Sequence, residues 1–256
     1  MRWTPDGGAV QRLGAALAAV LLTAGPASGS PRPSALIVWA WERPEDLRFA
    51  GPGVEIADHS GFMVLAGDRL FARGRRFPLL AAAAAVTTSV VHVQIDRRVR
   101  LRWSDALRRR TVDAVVAYGL ARRPQRLQID FEVGASERPV LLGVLAGVAA
   151  RLPAGTALSM TAIASWCDGE RWLDAAPVDE IVPMLFRMGQ QGAALRTRLA
   201  HGGDFANPRC RTALAVSTDA PIARAPPGRR VYLFNPHSWT PAALDGVRGE
   251  IARWGS

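Results

Sequence analysis

The chain reads as an α/β protein, a (β/α)8 TIM-type barrel with some short or missing helices. Three observations carry that reading. Eight short apolar runs recur along residues 35–256. Segments with helical periodicity separate several of them, the pattern of parallel βαβ units. The whole stretch has the size of one barrel domain. An open, doubly wound parallel sheet is the alternative. Such a sheet normally carries a glycine-rich phosphate loop after its first strand, and WAWERPED follows the first run here.

The strand-like runs are residues 35–41, 61–65, 90–95, 126–131, 157–163, 180–186, 211–217 and 230–234. Several are bounded by Gly or Pro, as strand ends often are. The second extends through Gly67-Asp68 into a hairpin at 69–71. Ser104-Asp105 opens a helix over 104–122, with Leu107, Val112, Val115, Val116 and Leu120 at helical spacing. Further helices are expected over 136–152, 190–200 and 241–254.

Ahead of the barrel lies a targeting segment. Arg2 and Arg12 form a basic start, residues 13–24 are an apolar run, and residues 25–29 are small. This three-part pattern predicts a signal peptide over 1–27, followed by a linker over 28–34. The apolar run is too short to span a bilayer as a helix, and no longer run follows it, so no stable membrane span is expected after processing. The expected location is therefore periplasmic or extracellular.

The formal charge of +10 invites a nucleic-acid reading. All 32 basic residues are Arg, however, and they are scattered, which points to coding bias rather than a selected basic face. Nucleic acid is not an expected partner. The two cysteines, Cys167 and Cys210, make no metal signature. The barrel reading puts Cys167 beyond the C-terminal end of the fifth strand and Cys210 at the start of the seventh. Those are opposite faces, so no bridge between them is expected.

The fourth run carries the clearest chemistry. In Leu127-Gln128-Ile129-Asp130-Phe131-Glu132 the apolar and polar residues alternate. One face packs on helices and the other faces the barrel lumen. Asp130 and Glu132 then lie roughly 6.6 Å apart along the strand, at the C-terminal end where barrel enzymes place catalytic groups. Two such carboxylates repel, which raises one pKa and makes a general acid. Glu132 and Asp130 are the catalytic candidates. A buried pairing with arginines is the structural alternative.

The third run repeats the alternation with His92, Gln94 and Asp96. If that set points inward, Asp96 approaches the two acids. A lone His such as His92 is more often a hydrogen-bonded core residue than a catalyst. Trp39, Trp41, Trp166 and Trp239 fall near strand ends, where indole rings could stack on sugar faces. Arg187, Asp219 and Asn235 end the sixth, seventh and eighth runs, with His237 close by. Asp96, Trp41, Trp166, Arg187, Asp219 and Asn235 are the substrate-binding candidates. No nucleophile elbow, Walker loop or zinc motif is present, and no cofactor or metal is expected.

Taken together, VWAWERP (38–44), RLQIDFE (126–132), LSMTAIASWC (158–167), PVDEIVPMLFRMG (177–189), STDAP (217–221) and YLFNPHSWT (232–240) resemble the bacterial domain of unknown function 3142 family. That resemblance implies a barrel and no assigned activity. A wider likeness runs to family-18 chitinase-type barrels, where the fourth strand ends in alternating acids. Here Gln128, Asp130 and Glu132 stand in that pattern, with Gln in place of the first acid and Phe186 where those enzymes often carry a Tyr. The likeness implies a glycoside hydrolase acting on an envelope or extracellular glycan. The alternative is a barrel that only binds a glycan or serves in envelope assembly.

Overall fold

The computed structural model describes Met1, residues 35–188 and residues 191–255. Apart from Met1, the stretch read as signal peptide and linker lies outside the described residues.

In chain order the strands are β1 Leu36–Ala40, β2 Glu45–Asp46, β3 Val54–Ala66, β4 Arg69–Gly74, β5 Leu79–Leu80, β6 Val86–Ile95, β7 Arg126–Asp130, β8 Ala157–Ile163, β9 Glu180–Met184, β10 Ala213–Ser217 and β11 Arg230–Phe234. The α-helices are α1 Asp105–Gly119, α2 Arg138–Ala149, α3 Trp166–Gly169, α4 Gly192–Ala200 and α5 Pro241–Ala252.

Strands β1, β3, β6, β7, β8, β9, β10 and β11 pair in parallel in that order, and β11 returns to β1. Leu36 is in register with Val54 on one side and Val231 on the other, so the ring is closed. The chain is an eight-stranded parallel β/α barrel and not an open sheet. Among the described residues, helices of eight residues or more follow β6, β7, β9 and β11 only; α3 is a single turn, and no α-helix follows β1, β3 or β10 before the next barrel strand. Strand β4 adds an antiparallel hairpin to β3, and β2 pairs with β5 in a separate small sheet.

The helices start where their caps allow. The Ser104 hydroxyl accepts from the Leu107 N–H at 3.2 Å, and the Thr240 hydroxyl accepts from the Ala243 N–H at 3.2 Å. Each satisfies one donor that the first helical turn leaves open. Pro241 opens α5, where a missing N–H matters least. Helix α1 approaches α2 at Gly147, where a Cβ would meet Val112 Cγ2 at 2.5 Å.

Period-two alternation splits the apolar residues into two cores. Leu127, Ile129 and Phe131 of the β7 run face outward, in the same outer core as Leu141, Val144 and Leu145 of α2. Ile37, Trp39, Val90, Val182, Met184 and Tyr232 fill the lumen. Strand β3 begins seven residues before the run read from the sequence. Its register with β6 slips between His59 and Gly61, a bulge that reverses which residues face inward. Ala57 lies in the lumen core before the bulge, whereas Met63 lies in the outer core after it.

The expectation of unbridged cysteines is overturned. Cys167 and Cys210 form a disulfide, with Cα atoms 6.0 Å apart. The connecting segments around β9 run side by side on the outer wall. Arg209 donates to the carbonyls of Leu173, Asp174, Ala176 and Val178, and the Asn207 N–H donates to the Cys167 carbonyl at 2.8 Å. The segment after β8 and the segment before β10 thus pack on one another, so assignment to opposite barrel faces fails. No helix among the described residues is long and apolar enough to cross a membrane.

Candidate functional site

The inward-facing polar residues of β7 meet different partners at different depths. Gln128 belongs to a network lower in the lumen. Its side chain accepts from Trp39 Nε1 at 2.8 Å and donates to Ser159 Oγ at 3.1 Å. Ser159 donates to Glu180 Oε1 at 3.0 Å, and the Tyr232 hydroxyl donates to the same oxygen at 2.7 Å. Arg230 pairs with Glu180, and Arg126 Nε lies 3.6 Å from it. This lower carboxylate is saturated by partners, as a buried charge must be.

Asp130 is one inward step closer to the mouth, and 6% exposed. It lies 2.7 Å from His92 Nδ1, and Thr161 Oγ1 donates to its other oxygen at 2.7 Å. Burial works to raise the Asp130 pKa, but the hydrogen bond and charge of His92, with the Thr161 hydroxyl, hold it below the ordinary carboxylate value. On His92 burial opposes the charged form, and the Asp130 hydrogen bond and charge overcome it, so the imidazole pKa is raised. The two groups favour an imidazolium–carboxylate pair.

Glu132 follows just beyond the end of β7, with 42% of its side chain exposed. Desolvation of the part against the cavity wall raises its pKa, and the Asp130 charge adds to this. Arg187, with Nε 3.6 Å from Glu132 Oε1, acts in the opposite direction, as do His92 and Arg97, without reversing the shift. Two carboxylates at the end of one strand thus have acidities driven apart, one held ionised and one inclined to keep its proton.

Both open into one cavity of about 550 Å³ at the C-terminal mouth, walled by Trp39, Trp41, Phe186 and Phe234. Trp41 stacks on His59 with centroids 4.7 Å apart and planes 9° apart, and Phe186 stacks on Phe234 at 5.2 Å. The rim is tied down by Arg43, whose guanidinium donates to the carbonyls of Asn235, at 2.7 Å, and Pro236. Its Nε pairs with Glu45 at 3.0 Å.

The cavity gathers Asp130, Glu132, Trp41, Arg187 and Asp219 from among the sequence candidates. Asp219, at the turn after β10, accepts from the Ser217 hydroxyl. The other three lie elsewhere. Asp96 turns back onto Arg98, whose guanidinium it holds through two hydrogen bonds, and lines a neighbouring cleft instead. Trp166 is buried in the outer core, edge-on to Trp172 at 5.1 Å. Asn235 is 5% exposed and braces the rim loop, accepting from the Thr218 hydroxyl at 2.8 Å.

His59 is a feature that the sequence reading did not single out. It is 2% exposed beneath Trp41, and neither ring nitrogen has a hydrogen-bond partner among the described residues. Burial, together with repulsion from His92, pushes its pKa down to about 4, against the pull of Glu42 and Asp130. Thr161, Arg43 and Phe234 were also missed as contributors, because their roles depend on which strands are neighbours; Trp39, expected near a strand end but not among the binding candidates, also lines the cavity. No group of His, Cys, Asp or Glu among the described residues is arranged to hold a metal ion.

Compared with family models, curated proteins and solved structures, the chain matches none of them.

Proposed function

We propose that this protein is an exported, glycoside hydrolase-like enzyme that cleaves an envelope or extracellular glycan by carboxylic acid catalysis. The observation that carries the proposal is the pair of carboxylates at the end of β7, at the wall of one aromatic cavity, Asp130 held low and Glu132 raised. A general acid must keep its proton near working pH, while a charge-stabilising partner must stay ionised.

A sugar ring stacks on Trp41 at the cavity wall. Glu132 delivers its proton to the glycosidic oxygen as the bond to the leaving sugar lengthens. Asp130, one step deeper, stabilises the positive charge that develops on the ring, and water adds to the anomeric carbon as one of its protons returns to the Glu132 carboxylate. His92 and Thr161 position Asp130 and keep it ionised. Asp219 is a further carboxylate on the same cavity. The strand-end acids also support the likeness to family-18 barrels, and kinship with the domain of unknown function 3142 family belongs to the same proposal. Export is supported by the N-terminal charge and apolar pattern and by the Cys167–Cys210 disulfide, a bond typical of oxidising compartments.

One observation favours a second reading. Arg187 beside Glu132 suits a permanently ionised carboxylate, and so a barrel that binds a glycan or serves in envelope assembly without cleaving it. The test uses protein recovered from the periplasm or medium, its first residue read by mass spectrometry and expected near Ser28 or Ser30. Wild type and Glu132→Gln are screened against peptidoglycan, chitin-type and exopolysaccharide substrates. The enzyme reading expects binding by both and a turnover loss of about 10²–10⁴-fold in the variant. Equal binding without product from either supports the binding module. An intact Met1 on cytoplasmic protein would overturn export.

A further inference from the structure

A second cleft of about 650 Å³ opens beside the aromatic cavity. It is formed by the end of β6 and the turn that follows, and it shares His92, Glu132 and Arg187 with the first cavity. Glu132 therefore stands at the junction of two depressions of opposite character. One is aromatic and runs into the lumen; the other is open and carries Arg97, Arg98 and Arg187.

The three arginines are not equally committed. The Arg98 guanidinium is held by Asp96 through two hydrogen bonds of 2.9 and 2.8 Å. Arg97 is 68% exposed and has one contact, 3.3 Å, to Glu137, whose carboxylate already accepts from the Gly134 N–H at 2.7 Å. Arg187 is 64% exposed and has Glu132 at 3.6 Å. A guanidinium carries five N–H donors in a planar fork suited to an oxyanion. Among the described residues, Arg97 and Arg187 thus bring most of their donors to the cleft unused, on either side of the proposed acid.

We propose that this cleft receives an oxyanion-bearing sugar residue, so that the glycan is anionic and runs from the aromatic cavity across Glu132 onto Arg97 and Arg187. The inference rests on the glycan reading above and names its substrate class. Binding would also ready the acid. When the substrate anion takes Arg187, Glu132 loses its cationic neighbour and keeps its proton more readily.

The test measures binding of oligosaccharide pairs by calorimetry. The probes are alginate, polygalacturonate and hyaluronan oligosaccharides, each beside its carboxyl-reduced counterpart, and carrageenan oligosaccharides beside their desulfated form. At least one acidic member is expected to bind about tenfold or more tighter than its neutral counterpart, the scale of a charge-assisted hydrogen bond. Which pair shows the preference separates carboxylate from sulfate. Arg97→Gln and Arg187→Gln should each reduce it by about threefold or more and together abolish it, with thermal melting confirming the fold. Raising NaCl from about 50 to 500 mM should weaken the acidic ligand alone, because both side chains are largely exposed. Neutral members binding as tightly as acidic ones, or a preference that survives the double substitution, overturns the proposal. Glu132-dependent cleavage of neutral glycans alone would leave the hydrolase reading standing and sink this one. Arginine-dependent binding of acidic glycans without cleavage would do the reverse. Failure to bind any pair would overturn this proposal, and the screen on peptidoglycan and chitin-type substrates then decides the glycan reading separately.

Discussion

The lower lumen and the mouth of the barrel are built from the same residue types and do different work. In the lower part, Glu180 receives Ser159, Tyr232, Arg230 and Arg126, and its side chain is 5% exposed. At the mouth, Glu132 has a single cation at 3.6 Å and leaves 42% of its side chain open. Asp130 lies between these extremes, buried but held by only His92 and Thr161. A carboxylate whose acceptor positions are filled is part of the framework. One that is under-partnered beside a cavity retains free energy to respond to a ligand or a proton.

Three measurements would break or sharpen that contrast. The largest effect is expected from Glu180→Ala, which leaves Arg126 and Arg230 facing the lumen without their carboxylate. Loss of one partner from such a buried network costs about 3–5 kcal/mol, read as a shift in the urea unfolding midpoint. A loss below about 1 kcal/mol would remove the distinction between framework and site.

A smaller effect is expected from the histidines under Trp41, which are shifted in opposite directions. The folded pKa of His59 is lowered from 6.5 to about 4. Its contribution is therefore present above pH 6.5 and is lost as pH falls toward 4, by up to about 1.4 kcal/mol per pH unit. His92 is raised above 6.5, so its contribution is full below 6.5 and is lost as pH rises through the folded value. Unfolding midpoints between pH 4 and 8 should show His59→Phe less acid-sensitive than wild type and His92→Phe less alkali-sensitive. Wild-type acid sensitivity in His59→Phe would contradict the buried, neutral imidazole.

The smallest effect on stability is expected at the mouth itself. Glu132→Gln should move the unfolding free energy by no more than about 0.5 kcal/mol, because the side chain is half open and its one ion pair is exposed. A loss comparable to that of Glu180→Ala would make Glu132 a framework residue and weaken the catalytic proposal.

Much of this was legible in the chain because of period-two alternation. Leu127, Ile129 and Phe131 could go only to one face, which committed Gln128 and Asp130 to the lumen. The segments 157–163 and 230–234 were readable to the residue for the same reason. The first half of β3 was not. Its bulge between His59 and Gly61 puts the two halves of the strand out of phase, so no single alternation spans it and His59 went unnoticed. Trp166 was mistaken for a mouth residue because its place in sequence, just after β8, says nothing about the direction the chain then takes.

The sequence by itself determined a parallel α/β architecture and the alternating run that carries two carboxylates, since both follow from local periodicity and the steric rules of parallel pairing. That the sheet closes into a ring was decided by the pairing of β1 with both β3 and β11. Only the tertiary structure decided that Asp130 is bound by His92 and Thr161, that Glu132 remains half open beside Arg187, and that Cys167 meets Cys210. Those outcomes depend on neighbours brought in from distant strands and on loops that fold back along the outer wall. Short-range patterning does not encode either, because a side chain's hydrogen bonds and desolvation are set by whatever the closed barrel places against it.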